Sequence, residues 1–306
     1  MKLDLGINTC FAVKRWPRPA DWAPIVGETL GLTVVQHSLD LVDLAADAQR
    51  IDDEAHVVSA AARGADLQVA STFTGLGLYS LNLLLDPEPM ARAEAERVLT
   101  RAIAFTAALG GLATGGHVGA FSVADWHAPS RRTELWDGLR AALARLAARA
   151  RHVGLEYLLV ENLAVGREPS TMAMLDEILD DGDASRVPIR LCLDVGHMCV
   201  SGSTGDDRNP YAWARRFGRR APIVQLQQSD ADGDHHWPFT PDRNRAGRIE
   251  ADRLIDALGE SGVEAAALIL EIIPPFEQDD GAVVDDLVAS VDYWREALVR
   301  RGVAAG

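Results

Sequence analysis

Cysteine is scarce in this chain. Cys10, Cys192 and Cys199 are three in 306 residues, an odd number with no CxxC pair. That argues against a disulfide framework and suits a reducing compartment, with buried core positions as the ordinary use of such thiols. Long apolar runs are missing too: none reaches the roughly 18 residues that span a bilayer. The opening Met1-Lys2-Leu3-Asp4-Leu5-Gly6 has no signal-peptide apolar stretch. The expectation is a soluble cytoplasmic protein. Positive charge is in deficit, with 30 Lys and Arg against 45 Asp and Glu and a net charge of -15. Such a surface repels nucleic acid and anionic membranes, so neither is expected as a partner.

Two further absences bear on architecture. No Pro/Ser-rich linker or charge block divides the chain. The segment after the first candidate strand, Thr9-Cys10-Phe11-Ala12-Val13, carries no glycine-rich phosphate fingerprint, and Gly75 with Gly77 makes only a GxG pair. A dinucleotide-binding open sheet is therefore disfavoured.

What is present is alternation. Strand-like runs fall near 3–8, 32–37, 67–73, 112–118, 155–161, 189–194, 223–228 and 265–272, and stretches of helical spacing lie between them, as at 89–109 and 131–153. Eight such units, closed by a helix over 280–301, predict one (β/α)8 barrel spanning 1–306 as a single domain.

Three of the most apolar runs end in an acid: Tyr157-Leu158-Leu159-Val160-Glu161, Leu191-Cys192-Leu193-Asp194 and Ala267-Leu268-Ile269-Leu270-Glu271. Continuous aliphatic runs read as strands buried on both faces. A buried, unpaired carboxylate costs several kcal/mol, so acids at such exits point to a cation or a reacting group. A barrel brings all strand ends to one mouth, where Glu161, Asp194 and Glu271 would repel one another unless a divalent cation held them. Oxygen ligands suit Mg²⁺ or Mn²⁺. Helix caps or ion-paired strand ends are the plainer alternative.

Neighbouring residues extend the candidate site. Alternation puts Gln225 and Gln227 on one side of the seventh strand, where a glutamine carbonyl could add an oxygen. His197, three residues past Asp194, could reach the mouth and donate to a substrate oxygen. His37 and His117 fall at or near strand ends and are further candidates. The polar segment 230–248 holds His235, His236, Arg243, Arg245 and Arg248. It could bind an anionic group such as phosphate, or simply be a solvated loop.

The pieces Val160-Glu161-Asn162, Leu193-Asp194-Val195-Gly196-His197, Gln227-Gln228-Ser229-Asp230 and Leu270-Glu271, in that order, resemble the sugar phosphate isomerase/epimerase family of xylose-isomerase-like barrels, which includes the ketose 3-epimerases. The resemblance implies a metal held by Glu161, Asp194, Gln227 and Glu271, with Gln227 standing where the family has histidine. That exchange of nitrogen for oxygen implies Mg²⁺ or Mn²⁺ over Zn²⁺, or loss of the metal. Segments 36–40, 72–75 and 234–237 look like the branch acting on four-carbon ketose phosphates in erythritol breakdown.

The implied activity is a metal-dependent epimerase or isomerase of a small ketose or ketose phosphate, such as erythrulose phosphate. It would remove a proton beside the carbonyl through an enediolate, with Glu161 and Glu271 exchanging the proton and His197 orienting an oxygen. His37, His117, His235, His236 and Arg243 are expected to bind substrate. A metal-dependent sugar dehydratase and a non-catalytic sugar-binding barrel are the alternatives, and homo-oligomerisation is left open.

Overall fold

The computed structural model describes residues 1–303. Its centre is a closed barrel of eight parallel strands: β1 (Lys2–Asn8), β2 (Val34–Ser38), β3 (Gln68–Phe73), β4 (Ala113–Gly116), β5 (Tyr157–Glu161), β6 (Ile189–Asp194), β7 (Ile223–Leu226) and β8 (Ala265–Leu270). Each strand pairs with its sequence neighbour, and β8 returns to β1 from Lys2↔Ala265 to Ile7↔Leu270. Every expected strand is present, and the fold is the expected (β/α)8 barrel.

Three strands stop two residues before their expected ends: β4, at Gly116, β7 and β8. β7 ends at Leu226 because Gln228 leaves the ladder for an antiparallel bridge with Trp237. β8 ends at Leu270, although the Glu271 N–H still reaches the Leu226 carbonyl at 2.9 Å and keeps the inward alternation.

The connecting helices follow local chemistry. Pro89 and Pro129 each occupy the first turn of a long helix, where a missing N–H costs nothing. Helix Pro89–Leu109 stops at Gly110, whose φ of 85° suits a residue without a Cβ. Asp279 caps the closing helix Asp280–Arg300 by accepting from the Ala282 N–H. Gly115 is required for a different reason: with φ 152°, a Cβ there would meet the Leu159 carbonyl oxygen at 1.9 Å. No helix among the described residues is long and apolar enough to cross a membrane.

Two packed regions result. Leu3, Leu5, Ile7, Leu158, Val160, Leu191, Leu193, Leu268 and Leu270 belong to the large core between barrel and helices. Inside the barrel, Val34, Phe73, Ala113, Leu159, Cys192, Ile223 and Ile269 form a separate apolar floor. Successive inward side chains lie two residues apart, so the next step up from Leu159, Cys192 and Ile269 is Glu161, Asp194 and Glu271.

Candidate active site

Glu161, Asp194 and Glu271 meet at the barrel mouth, 3%, 0% and 3% exposed, each offering an oxygen within 4.8 Å of the others. Glu161 and Asp194 end the neighbouring strands β5 and β6, and Glu271 follows the last residue of β8. Burial drives Glu161 well above the usual carboxylate range, with His197 opposing and Glu271 and Asp194 adding to the rise. Burial likewise pushes Glu271 up to about 8, with His236 opposing and Asp194 adding.

Beneath Glu271 lies a layer of amides whose orientation is forced. The backbone N–H of Cys10 can only donate, and it lies 2.9 Å from Asn8 Oδ1. Asn8 Nδ2 therefore points the other way and donates to Gln36 Oε1 at 2.9 Å and to Glu271 Oε1 at 3.0 Å. Gln225 Nε2 donates to the same two oxygens, each at 2.9 Å. Glu271 Oε1 is thus held by two amides, while Oε2 has no hydrogen-bond partner. Glu271 lines a cavity of about 300 Å³ together with Glu161, His117, His197, Asp234 and His236.

Gln227 turns its amide nitrogen, not its carbonyl, toward the acids. Its Oε1 accepts the His236 backbone N–H at 2.7 Å, so its amide nitrogen must face the acids. That nitrogen donates to both Asp194 oxygens at 3.1 Å and to Asp234 at 2.8 Å. Gln227 therefore presents donors to the acids and steadies Asp194, and its carbonyl is turned away from them.

His197 and His236 reach the same cluster. His197 Nδ1 donates to the Asn162 carbonyl at 2.7 Å, which leaves Nε2 3.2 Å from Asp234. His236 Nδ1 donates to the Glu271 carbonyl at 3.1 Å, with Nε2 3.3 Å from Asp234. Burial lowers both imidazoles, yet the surrounding acids more than reverse it: His197 is raised, chiefly by Asp194 and Asp234, and His236 is raised to about 9, chiefly by Asp234. Burial would raise Asp234, but the two histidines carry it far below the carboxylate range. His236 holds this position with φ of 48°, unusual for a side chain with a Cβ.

The remaining candidates separate. His117 lines the cavity; its Nε2 faces the Leu81 carbonyl at 3.1 Å, so its Nδ1 carries a free lone pair. His235 lines the cavity, stacks on Trp237 at 3.9 Å and lies 3.1 Å from Asp230. His37 is not at the mouth. It is buried between Trp22 and Phe105, with ring centroids at 5.6 and 6.1 Å, because its neighbour Gln36 takes the inward position. Burial lowers it to about 4. Arg243 lines an adjoining cavity. Arg245 pairs with Asp242, and Arg248 donates to the Arg208 carbonyl.

Two site contributors do not stand out in the sequence, Asp234 and Asn8, and a third buried acid, Glu168, lies outside the cavity lining. Asp234 sits two residues before His236, a short acid–histidine spacing that could have drawn attention. Asn8 ends the first strand, as the acids end theirs. Glu168 is buried in the loop after β5 with Oε2 unpartnered, and burial raises it to about 7.

The donor set fits a divalent cation. Three buried carboxylates converge, Glu271 Oε2 is buried without a partner, and neighbouring N–H groups fix the orientation of Asp194 and Glu271. A second group, Asp194, His197 and His236, shares Asp194 with the first.

A sequence model of the xylose isomerase-like TIM barrel matches residues 28–296. The chain is 29% identical over 298 residues to D-erythrulose 1-phosphate 3-epimerase of Brucella abortus (strain 2308), covering 96% of each. Among solved structures, a Rhodospirillum rubrum protein named after xylose isomerase superposes with a TM-score of 0.88 at 34% identity, over 96% of this chain and 99% of that one. A D-tagatose 3-epimerase-like protein shares the fold at a TM-score of 0.72 and 15% identity, over 98% of this chain and 100% of its own.

Proposed function

Because this chain belongs to the xylose isomerase-like TIM barrel family, we propose that it is a divalent-metal-dependent 3-epimerase of a small ketose or ketose phosphate. Erythrulose phosphate is the first substrate to test, since the Brucella relative is a 3-epimerase of D-erythrulose 1-phosphate. Glu161, Asp194 and Glu271 would hold the metal, and an all-carboxylate set favours Mg²⁺ or Mn²⁺ over Zn²⁺. Bound there, such an ion supplies Lewis-acid polarisation of the ketose carbonyl.

The chain's own groups account for the rest. Glu271, held at Oε1 by the Asn8 and Gln225 amides, takes the proton from the carbon beside the carbonyl. Charge passes to the enediolate, and Glu161 on β5 returns a proton from the other side of the mouth. A cavity of about 300 Å³ matches a small sugar. The free Nδ1 of His117 accepts from a substrate hydroxyl.

The observation that carries this reading is the unpartnered Oε2 of a buried Glu271 within a ring of carboxylates. It is tested by following C3 proton exchange of erythrulose phosphate in D₂O by NMR, with Mn²⁺ and with chelator. Metal-dependent exchange at C3 supports the reading, and no exchange with added metal counts against it.

A further inference from the structure

The acid-lined cavity has no lysine or arginine in its lining, while Glu161, Asp234 and Glu271 contribute three carboxylates. A phosphomonoester would find there no lysine or arginine, and His197 and His236 already face Asp234, with Nε2 at 3.2 Å and 3.3 Å respectively. Beside it, between the loops that follow β7 and β8, lies a second cavity of about 590 Å³, and the two share His235, His236 and Ile273.

Arg243 is on the wall of this second cavity. Its guanidinium lies 4.5 Å from the centre of the Trp237 ring and pairs with no acid among the described residues. The two acids of the same wall are engaged elsewhere: Asp242 with Arg245, and Asp286 with Gln278 Nε2 at 2.8 Å. Trp237 is itself stacked against His235 at 3.9 Å with an interplanar angle of 1°, so the surface beneath the guanidinium is fixed. A flat, stacked, unpaired guanidinium loses little freedom on forming two parallel hydrogen bonds to a phosphate.

We propose that the second cavity is the phosphate subsite of the same active site, with the ketose carbons among the carboxylates and the phosphate beyond His235 on Arg243. This rests on the ketose-epimerase reading for its substrate, but its binding claim can be tested separately.

The measurement compares wild type, R243A and R243K on erythrulose phosphate and on unphosphorylated erythrulose. In R243A the ratio of kcat/KM for phosphorylated over unphosphorylated ketose should fall about 10- to 100-fold, mostly through KM, with R243K in between. An unchanged ratio, or a wild type that prefers the unphosphorylated ketose, overturns the subsite. Binding of a tetritol phosphate, which has no carbonyl, is followed in parallel by calorimetry. If wild type exchanges neither ketose, the epimerase reading fails and this titration still decides the subsite. Binding weakened at least tenfold in R243A sustains it; equal binding, or none to wild type, overturns it.

Discussion

The barrel interior changes character within one two-residue step. Its floor, from Val34 to Ile269, is apolar and behaves like any packed core. Its mouth places Glu161, Asp194, Glu271, His197 and Asp234 together, with burial and like charge working against ionisation of the two glutamates. The same strands build both layers, so the contrast is one of chemistry at a fixed backbone. The floor stabilises the molecule, and the mouth gives up stability to hold reactive groups still.

Substitutions that divide the two layers test this contrast. Glu271→Gln should lower C3 exchange by about 10²- to 10⁴-fold, the usual worth of a positioned acid or base. Its melting temperature should not fall, because a buried acid is replaced by a neutral isostere. A melting temperature that drops with the rate would erase the distinction. Leu159→Ala, one step below Glu161, should do the reverse: a loss of about 2–5 kcal/mol in denaturant unfolding, with turnover per folded molecule nearly kept.

Gln225→Leu lies between the layers. It removes one of the two donors to Glu271 Oε1 along with an amide oxygen that has no partner. We expect kcat about tenfold lower at similar KM and little change in stability, the size of one hydrogen bond to a charged group. A change confined to KM would mean that Gln225 serves substrate binding instead.

An effect on stability alone concerns pH. Burial raises Glu168 to about 7 from an ordinary 4.5. A raised carboxyl keeps its proton on folding, so its stabilising contribution is whole below about pH 4.5 and disappears as pH rises through about 7. Glu168→Gln should therefore match wild type near pH 4 and exceed it by about 1–3 kcal/mol above pH 7. Thermal melts across that range check it, and parallel curves would place the Glu168 carboxylate in a wetter setting.

Much of this was readable beforehand. Eight strands, their order and the three terminal acids followed from aliphatic runs that end in Glu161, Asp194 and Glu271. Side-chain direction was harder. Val34-Val35-Gln36-His37-Ser38 is buried throughout, so hydrophobicity alone does not say whether Gln36 or His37 faces the interior. The role of Gln227 depended on a backbone N–H nine residues later, and a loop residue at positive φ set its position. Asp234 and Arg243 lie in a polar segment without periodicity, where spacing carries no direction.

The sequence by itself determined the barrel, because burial on both faces of a strand leaves a continuous apolar run and helices leave a 3.6-residue period. It also determined which acids end the core strands. Only the tertiary structure decided what those acids see. Hydrogen-bond direction is settled by the one partner that can only donate or only accept, and here those partners are the Cys10 and His236 N–H groups and the Asn162 and Glu271 carbonyls, three of them supplied by backbone distant in sequence from the side chains they orient.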